Sequence, residues 1–119
     1  MWHLPDQNVP ILCQCKCEQS VTGIQTIREF ESVVRNEPAG TLGLIASDKG
    51  FSVPARRYAH RSAQPIILTR ISRDKMDEFD MNNAVFTRVK DLVTGTRYVD
   101  GKPHLSILYK STKLYDPVQ

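Results

Sequence analysis

Ile11-Leu12-Cys13-Gln14-Cys15-Lys16-Cys17 is a short, largely apolar run without glycine or proline, and it reads as a core β-strand. Successive side chains of a strand point to opposite faces. Cys13, Cys15 and Cys17 therefore share one face, and Gln14 and Lys16 share the other. One metal ion cannot take all three thiols, because a strand rises about 3.3 Å per residue and the outer pair lies about 13 Å apart. Neighbours on an extended strand are also badly placed for a disulfide. The three cysteines are expected to be reduced, small, buried apolar residues, which implies a reducing compartment. A thiol enzyme built on them is the least favoured reading.

Downstream, Thr22 offers a helix cap, and Ile24, Ile27, Phe30, Val33 and Val34 recur at helical spacing. The helix is predicted to run to about Asn36 and to end before Glu37-Pro38-Ala39-Gly40, because the residue before proline resists helical geometry. Thr41 to Ser47 reads as a second buried strand, closed by the turn Asp48-Lys49-Gly50. Ser52 caps a second helix, with Pro54 tolerated in its first turn and Ala55, Tyr58, Ala59 and Ser62 as a narrow packing face. Pro65 opens a third strand, Ile66 to Ile71. Strands alternating with helices over short links argue for parallel strands joined by right-handed crossovers.

Beyond that core, expected over about residues 9–72, lies an extension over about 73–119. Arg73 to Phe79 is charged and reads as a short helix or a loop. Asn83 to Val93 is amphipathic and ends at Gly95. Arg97 to Lys102 carries an Asp-Gly turn which, with Leu105 to Tyr109, reads as a hairpin.

A chain of 119 residues has room for one small domain. Its net charge of +3 is mildly basic, which tolerates nucleic acid without pointing firmly to it. No apolar run approaches the roughly 20 residues that span a bilayer, and no targeting signal is readable at the amino terminus, so no membrane partner is expected.

Gln14 and Lys16 carry the candidate chemistry. An amide oxygen at Gln14 can serve Mg²⁺, and Lys16 can hold the attacking water or scissile phosphate and stabilise developing negative charge. Such a pair is half a metal-dependent phosphodiesterase site, completed by an ionised carboxylate from a preceding hairpin. The motif alone is common, and a structural or surface lysine is the plainer reading of it.

The ordered set of segments says more. Ile11 to Lys16, then Ile27-Arg28-Glu29-Phe30-Glu31, then Gly43 to Ser47, then Phe51 to Ala59 and Pro65 to Leu68, together resemble the catalytic core of Mrr-type restriction endonucleases of the PD-(D/E)xK superfamily. Within it, the likeness is to a eukaryotic branch typified by fungal mitochondrial "required for respiratory growth" proteins, where a lead-in like Trp2-His3-Leu4-Pro5 precedes the strand. The resemblance covers residues 2–71 well and the remainder loosely. It implies a restriction-endonuclease-like α/β sandwich with a central mixed sheet and a small carboxy-terminal hairpin. It also implies Gln14 and Lys16 as catalytic residues, Gln14 as a partial metal ligand, Mg²⁺ in a complete relative, DNA as partner and a mitochondrial setting.

In that family the metal-binding Asp precedes the Trp lead-in, and here that position would fall before Met1. Asp6, the only acid upstream of Gln14, sits in a proline-flanked turn and is a poor substitute. The chain is therefore expected to be a partial domain, short of its amino-terminal strands, catalytically incomplete and without a metal ion of its own. The strand carrying the cysteines would then lie at an exposed sheet edge that can pair with another chain. Glu29 could reach toward the Gln14 and Lys16 face, although a surface ion pair suits it better.

Lys49, Arg56, Arg57 and Arg61, with His60 beside them, form a basic face. It reads either as a phosphate-backbone contact or as a solvated helix surface. Three functional classes stay open: a nuclease-superfamily domain acting on DNA, a degenerate nuclease fold that binds nucleic acid or protein in support of mitochondrial maintenance, and a small domain whose basic face is mere surface. Salt-dependent DNA retention with or without cleavage separates them.

Overall fold

The computed structural model describes residues 2–3, 9–72, 75–89, 92–109 and 112–115. Strand β1 (Trp2–His3) is followed by β2 (Pro10–Lys16), α1 (Ile24–Arg35), β3 (Leu42–Ser47), α2 (Val53–Arg61), β4 (Ile66–Ser72), β5 (Lys75–Met81) and α3 (Asn83–Arg88). The five strands form one mixed sheet in the order β1-β2-β3-β4-β5. Strands β2, β3 and β4 run parallel, while β1 and β5 flank them antiparallel. Two strand–helix–strand crossovers thus carry the chain across the sheet, as the alternating pattern predicts.

Helices cover both faces of the sheet. On one face Ile27, Phe30 and Val34 of α1 and Ala55 and Ala59 of α2 bury against Ile45, Ile66 and Leu68. On the other, Val85 and Val89 at α3 pack on Ile11, Leu42, Ile67 and Met81. Burying each of the larger side chains stabilises the fold by about 1.5–3 kcal/mol, which is what makes these faces specific. Close approach of α1 depends on Gly43. A Cβ there would lie 2.4 Å from Val34 Cγ2 and 2.8 Å from Phe30 Cε2, so only a bare α-carbon lets the helix sit this low.

Polar side chains fix the joints. Ser52 caps α2 by accepting from the Ala55 amide at 3.2 Å. Asn82, 2% exposed, caps α3 by accepting from the Val85 amide at 3.2 Å. It also accepts from the Ile66 amide, and its own amide donates to the carbonyls of Ala59 and Gln64. One side chain thereby ties the end of α2, the start of β4 and the start of α3.

The remaining strands, β6 (Leu92–Val99), β7 (Lys102–Tyr109) and β8 (Thr112–Tyr115), form a separate antiparallel sheet. Asp100 and Gly101 make the two-residue β6–β7 turn, with φ of 53° and 78°. Both angles are positive, as a primed hairpin turn requires.

Three expectations are corrected, and one run is divided. Arg73 to Phe79 is neither helix nor loop over its described part, since Lys75–Met81 is β5. The amphipathic run Asn83 to Val93 is divided between two elements: α3 ends at Arg88, Val89 adopts φ −132° and ψ 87°, and Leu92 and Val93 begin β6. Thr22 does not cap α1. Gly23 occupies that position without a side-chain hydrogen bond, and Thr22 is buried elsewhere. Finally, Cys13, Cys15 and Cys17 are free thiols but exposed, because α3 covers only the Ile11 end of their face. Residues 4–8, including Leu4, Pro5 and Asp6, lie outside the described residues.

Candidate active site and basic groove

Gln14 lies beside Ile45 and Lys16 beside Ser47 in the parallel pairing of β2 with β3. Strand alternation puts both side chains on the α1 and α2 side of the sheet, the side to which Leu12 of the same strand also packs. Both are half-buried. The amide and the ammonium are therefore on one face, with the cysteines on the other. Strand β2 is also near the rim. Among the described residues β1 pairs with it only at Pro10 and Ile11, so Leu12 to Lys16 has a described strand neighbour on one side alone.

Lys16 has no described carboxylate within ion-pair range. The cross-strand neighbours of Gln14 on this face are Ile45 and Leu68, both apolar and buried. Mg²⁺ asks for octahedral oxygen ligands, usually including one or two carboxylates. Among the described residues no group of three or more His, Cys, Asp and Glu could hold a metal ion. A single neutral amide oxygen does not fit Mg²⁺, and the described residues beside Gln14 do not make its site.

Carboxylates do stand near the rim, and each is engaged. Glu18 Oε1 stands 3.2 Å from Thr22 Oγ1. Asp48 accepts from the Glu18 amide and from Lys49. The hydrogen bond from Lys49 holds the exposed Asp48 carboxyl below the ordinary carboxylate value. Glu29 is exposed and accepts from Gln25 one turn earlier, so it does not serve the Gln14 face.

Beside Lys16 stands a buried hydroxyl lock. Thr22 Oγ1 donates to Ser47 Oγ at 2.9 Å, and Ser47 donates to the Gly50 carbonyl at 3.0 Å. The Thr22 amide donates to the same carbonyl. The loop into α1 and the loop into α2 are thus joined over Ser47, between Lys16 and the residues of β4 and β5.

On the far side of this lock sit Arg56, Arg70 and Glu78. Arg56 Nη2 donates to Glu78 Oε2 at 2.6 Å, and its Nε donates to the Phe51 carbonyl. Arg70 occupies the position across Ser47 from Lys16, with Asp77 Oδ2 at 4.0 Å from a buried Nε that makes no hydrogen bond. Arg70 is absent from the basic set read in the sequence. It sits in strand β4, where alternation alone does not distinguish it from any solvated strand end.

The four basic residues singled out in the sequence are divided by the fold. Lys49 pairs with Asp48 at 3.2 Å and Arg56 with Glu78. Arg57 and Arg61, one turn apart on α2, are exposed and line an open groove of about 520 Å³ between α1 and α2. Glu31 lies in that groove with its side chain 12% exposed. Its Oε1 accepts from Tyr58 at 2.7 Å and from Arg35 at 3.2 Å, and its Oε2 accepts from Ser62 at 2.5 Å. Burial pushes the Glu31 carboxyl up, but hydrogen bonds from Ser62 and Tyr58 and the charge of Arg35 outweigh it, leaving the group below its usual value. The same bond to Glu31 raises Tyr58. Arg28 stacks over the Tyr58 ring at 5.5 Å.

With this geometry in place, comparison with known families gives one match. The Mrr_cat family, described as Restriction endonuclease, matches residues 3–78, which include β2, both crossovers, β4 and most of β5. No curated protein and no solved structure matches the chain.

Proposed function

Because this chain belongs to the Mrr-type restriction endonuclease family, we propose that it acts on DNA, with Gln14 and Lys16 as one half of a phosphodiester-cleaving centre. The observation that carries this reading is the shared face of the two side chains at the rim of a mixed sheet. Lys16 has no described carboxylate to neutralise it, so its ammonium is available to a phosphate oxygen and to the negative charge that grows during hydrolysis. Gln14 offers a neutral oxygen two residues away. When bound in a complete relative, Mg²⁺ supplies an activated water and neutralises charge on the phosphate.

In this chain the centre is catalytically incomplete. Supporting that, the cross-strand neighbours of Gln14 are Ile45 and Leu68, which bring no charge to a cation. The test is to incubate the chain with Mg²⁺ or Mn²⁺ and duplex DNA over a range of salt. DNA retained at low salt and uncut supports a half-site; metal-dependent cleavage abolished by Lys16→Ala keeps the centre and removes the incompleteness. Absence of both binding and cleavage removes DNA as the substrate.

The same apolar surroundings of Gln14 favour one alternative, a degenerate nuclease fold that binds nucleic acid without cutting it. Binding that persists in Lys16→Ala distinguishes it. The fungal likeness of residues 2–16 supports a mitochondrial setting, which fractionation of a tagged chain tests.

A further inference from the structure

The groove between α1 and α2 is separate from the Gln14 and Lys16 pair and has an electrostatic character of its own. Ala55 and Ala59 bury against the sheet beside Ile27 and Phe30, and the groove opens between the flanks of the two helices. Ile24 and Pro54 stand at one end, Arg61 and Ser62 at the other, and Arg57 and Tyr58 between them.

A single carboxylate lies in the groove, and it is already satisfied. Glu31 accepts from Tyr58, Ser62 and Arg35, and Arg35 compensates its charge. Tyr58 is held in place from both sides, by that hydrogen bond and by the guanidinium of Arg28. Arg57 and Arg61 have no described carboxylate within ion-pair range, unlike Arg35, Lys49, Arg56 and Arg70. Being four residues apart on a helix, they project from the same side about 6 Å apart along its axis.

Two unpaired guanidinium groups from one side of a helix, beside a fixed aromatic ring at an open cleft, suit an anion that accepts several charge-assisted hydrogen bonds. A phosphate group does so better than a carboxylate or a halide. We propose that the α1–α2 groove is a phosphate-binding site in which Arg57 and Arg61 clamp the anion, while Glu31, Tyr58 and Ser62 hold the two helices at the spacing the clamp needs. The site does not depend on the Lys16 centre. Only the choice of a DNA strand as the source of the phosphate rests on that reading.

The experiment is a titration of the folded chain with inorganic pyrophosphate, followed by amide chemical shifts and calorimetry. The expected result is saturable binding with shifts centred on Arg57, Tyr58 and Arg61, weakened roughly tenfold or more in Arg57→Gln/Arg61→Gln. Both arginines are exposed, so the double variant should melt like the parent, and Arg57→Lys/Arg61→Lys should recover part of the binding. A short oligodeoxynucleotide is then added as competitor. Displacement of pyrophosphate identifies a nucleic-acid strand as the source, and failure to displace it identifies a free phosphate compound; both outcomes support the groove. Unaltered pyrophosphate affinity in the double glutamine variant, or shifts centred on Lys16 instead, overturns it.

Discussion

The hydroxyl of Tyr58 on α2 donates to the carboxylate of Glu31 on α1 over 2.7 Å, joining the two helices across the groove between them. Ser62 reaches the second carboxylate oxygen from one turn further along. Hydrogen bonds to an ionised group contribute about 1.5–3 kcal/mol. Glu31→Ala is expected to lower the free energy of unfolding measured in urea by an amount in that range, with Tyr58→Phe losing less because Ser62 remains.

The same carboxylate sets a pH dependence. Its value in the folded chain is depressed, so its contribution is fully present above the unfolded-state value and is lost as pH falls through the folded one. Thermal melts of the parent and of Glu31→Gln should differ at neutral pH and converge in acid, below the ordinary carboxylate range. A gap that widens on acidification contradicts the sign.

Gly43→Ala would push a methyl group to within 2.4 Å of Val34 and 2.8 Å of Phe30. Overpacking of this kind costs about 1–3 kcal/mol. Chemical denaturation should show that loss, and adding Val34→Ala should return part of it by vacating the space. If the pair is no better than the sum of its parts, α1 does not rest on Gly43 as described.

Asn82→Ala removes a helix cap and leaves the Ile66 amide and the Gln64 carbonyl without the side chain that bonds them. A lost cap costs about 1 kcal/mol, and each stranded buried group about 1–3 kcal/mol. A loss of about 3 kcal/mol or more is expected. Asn82→Asp keeps the acceptor but not the donors, and should fall between Ala and the parent in equilibrium unfolding.

The thiols of Cys13, Cys15 and Cys17 should all alkylate in the native chain without denaturant, as intact-mass spectrometry can show. Desolvation, helped by the neighbouring Cys15, raises Cys13. Its labelling rate is expected to climb with pH later than that of an ordinary exposed thiol. Protection of any of the three under native conditions would contradict their exposure.

The central crossovers are legible in the sequence because their signals are local and strong: apolar runs at strand length, helical spacing at Ile27, Phe30 and Val34, a serine cap, and prolines at the boundaries. Strand β5 is not, and the reason is a defect in its pairing. The register slips between Arg70 and Ile71, so Ile71 faces Met76 while Arg70 faces Glu78, and Asp77 is the extra residue. Met76, Phe79 and Met81 all approach the α3 side, yet their spacing breaks the period of two that identifies a half-buried strand. Leu92 and Val93 close the amphipathic run that starts at Asn83, yet they belong to β6 and not to α3.

Within the candidate site, the shared face of Gln14 and Lys16 follows from alternation alone. The division of the basic residues does not. Whether an arginine on α2 meets Glu78 or an open groove depends on where β5 lies, some 20 residues later in the chain, as Arg56 and Glu78 show with a separation of 22. The exposure of the cysteines likewise depends on how little of their face the short α3 can shade.

Ser47 is a small residue with a large consequence for the loops around it. Because its hydroxyl meets Thr22 on one flank and Gly50 on the other, the approaches to α1 and α2 are clasped together at the carboxyl ends of the parallel strands. Lys16 lies on one side of this clasp, and the mutually offsetting pair of Arg56 and Glu78 lies on the other. Replacing Ser47 by alanine would unfasten both loops at once.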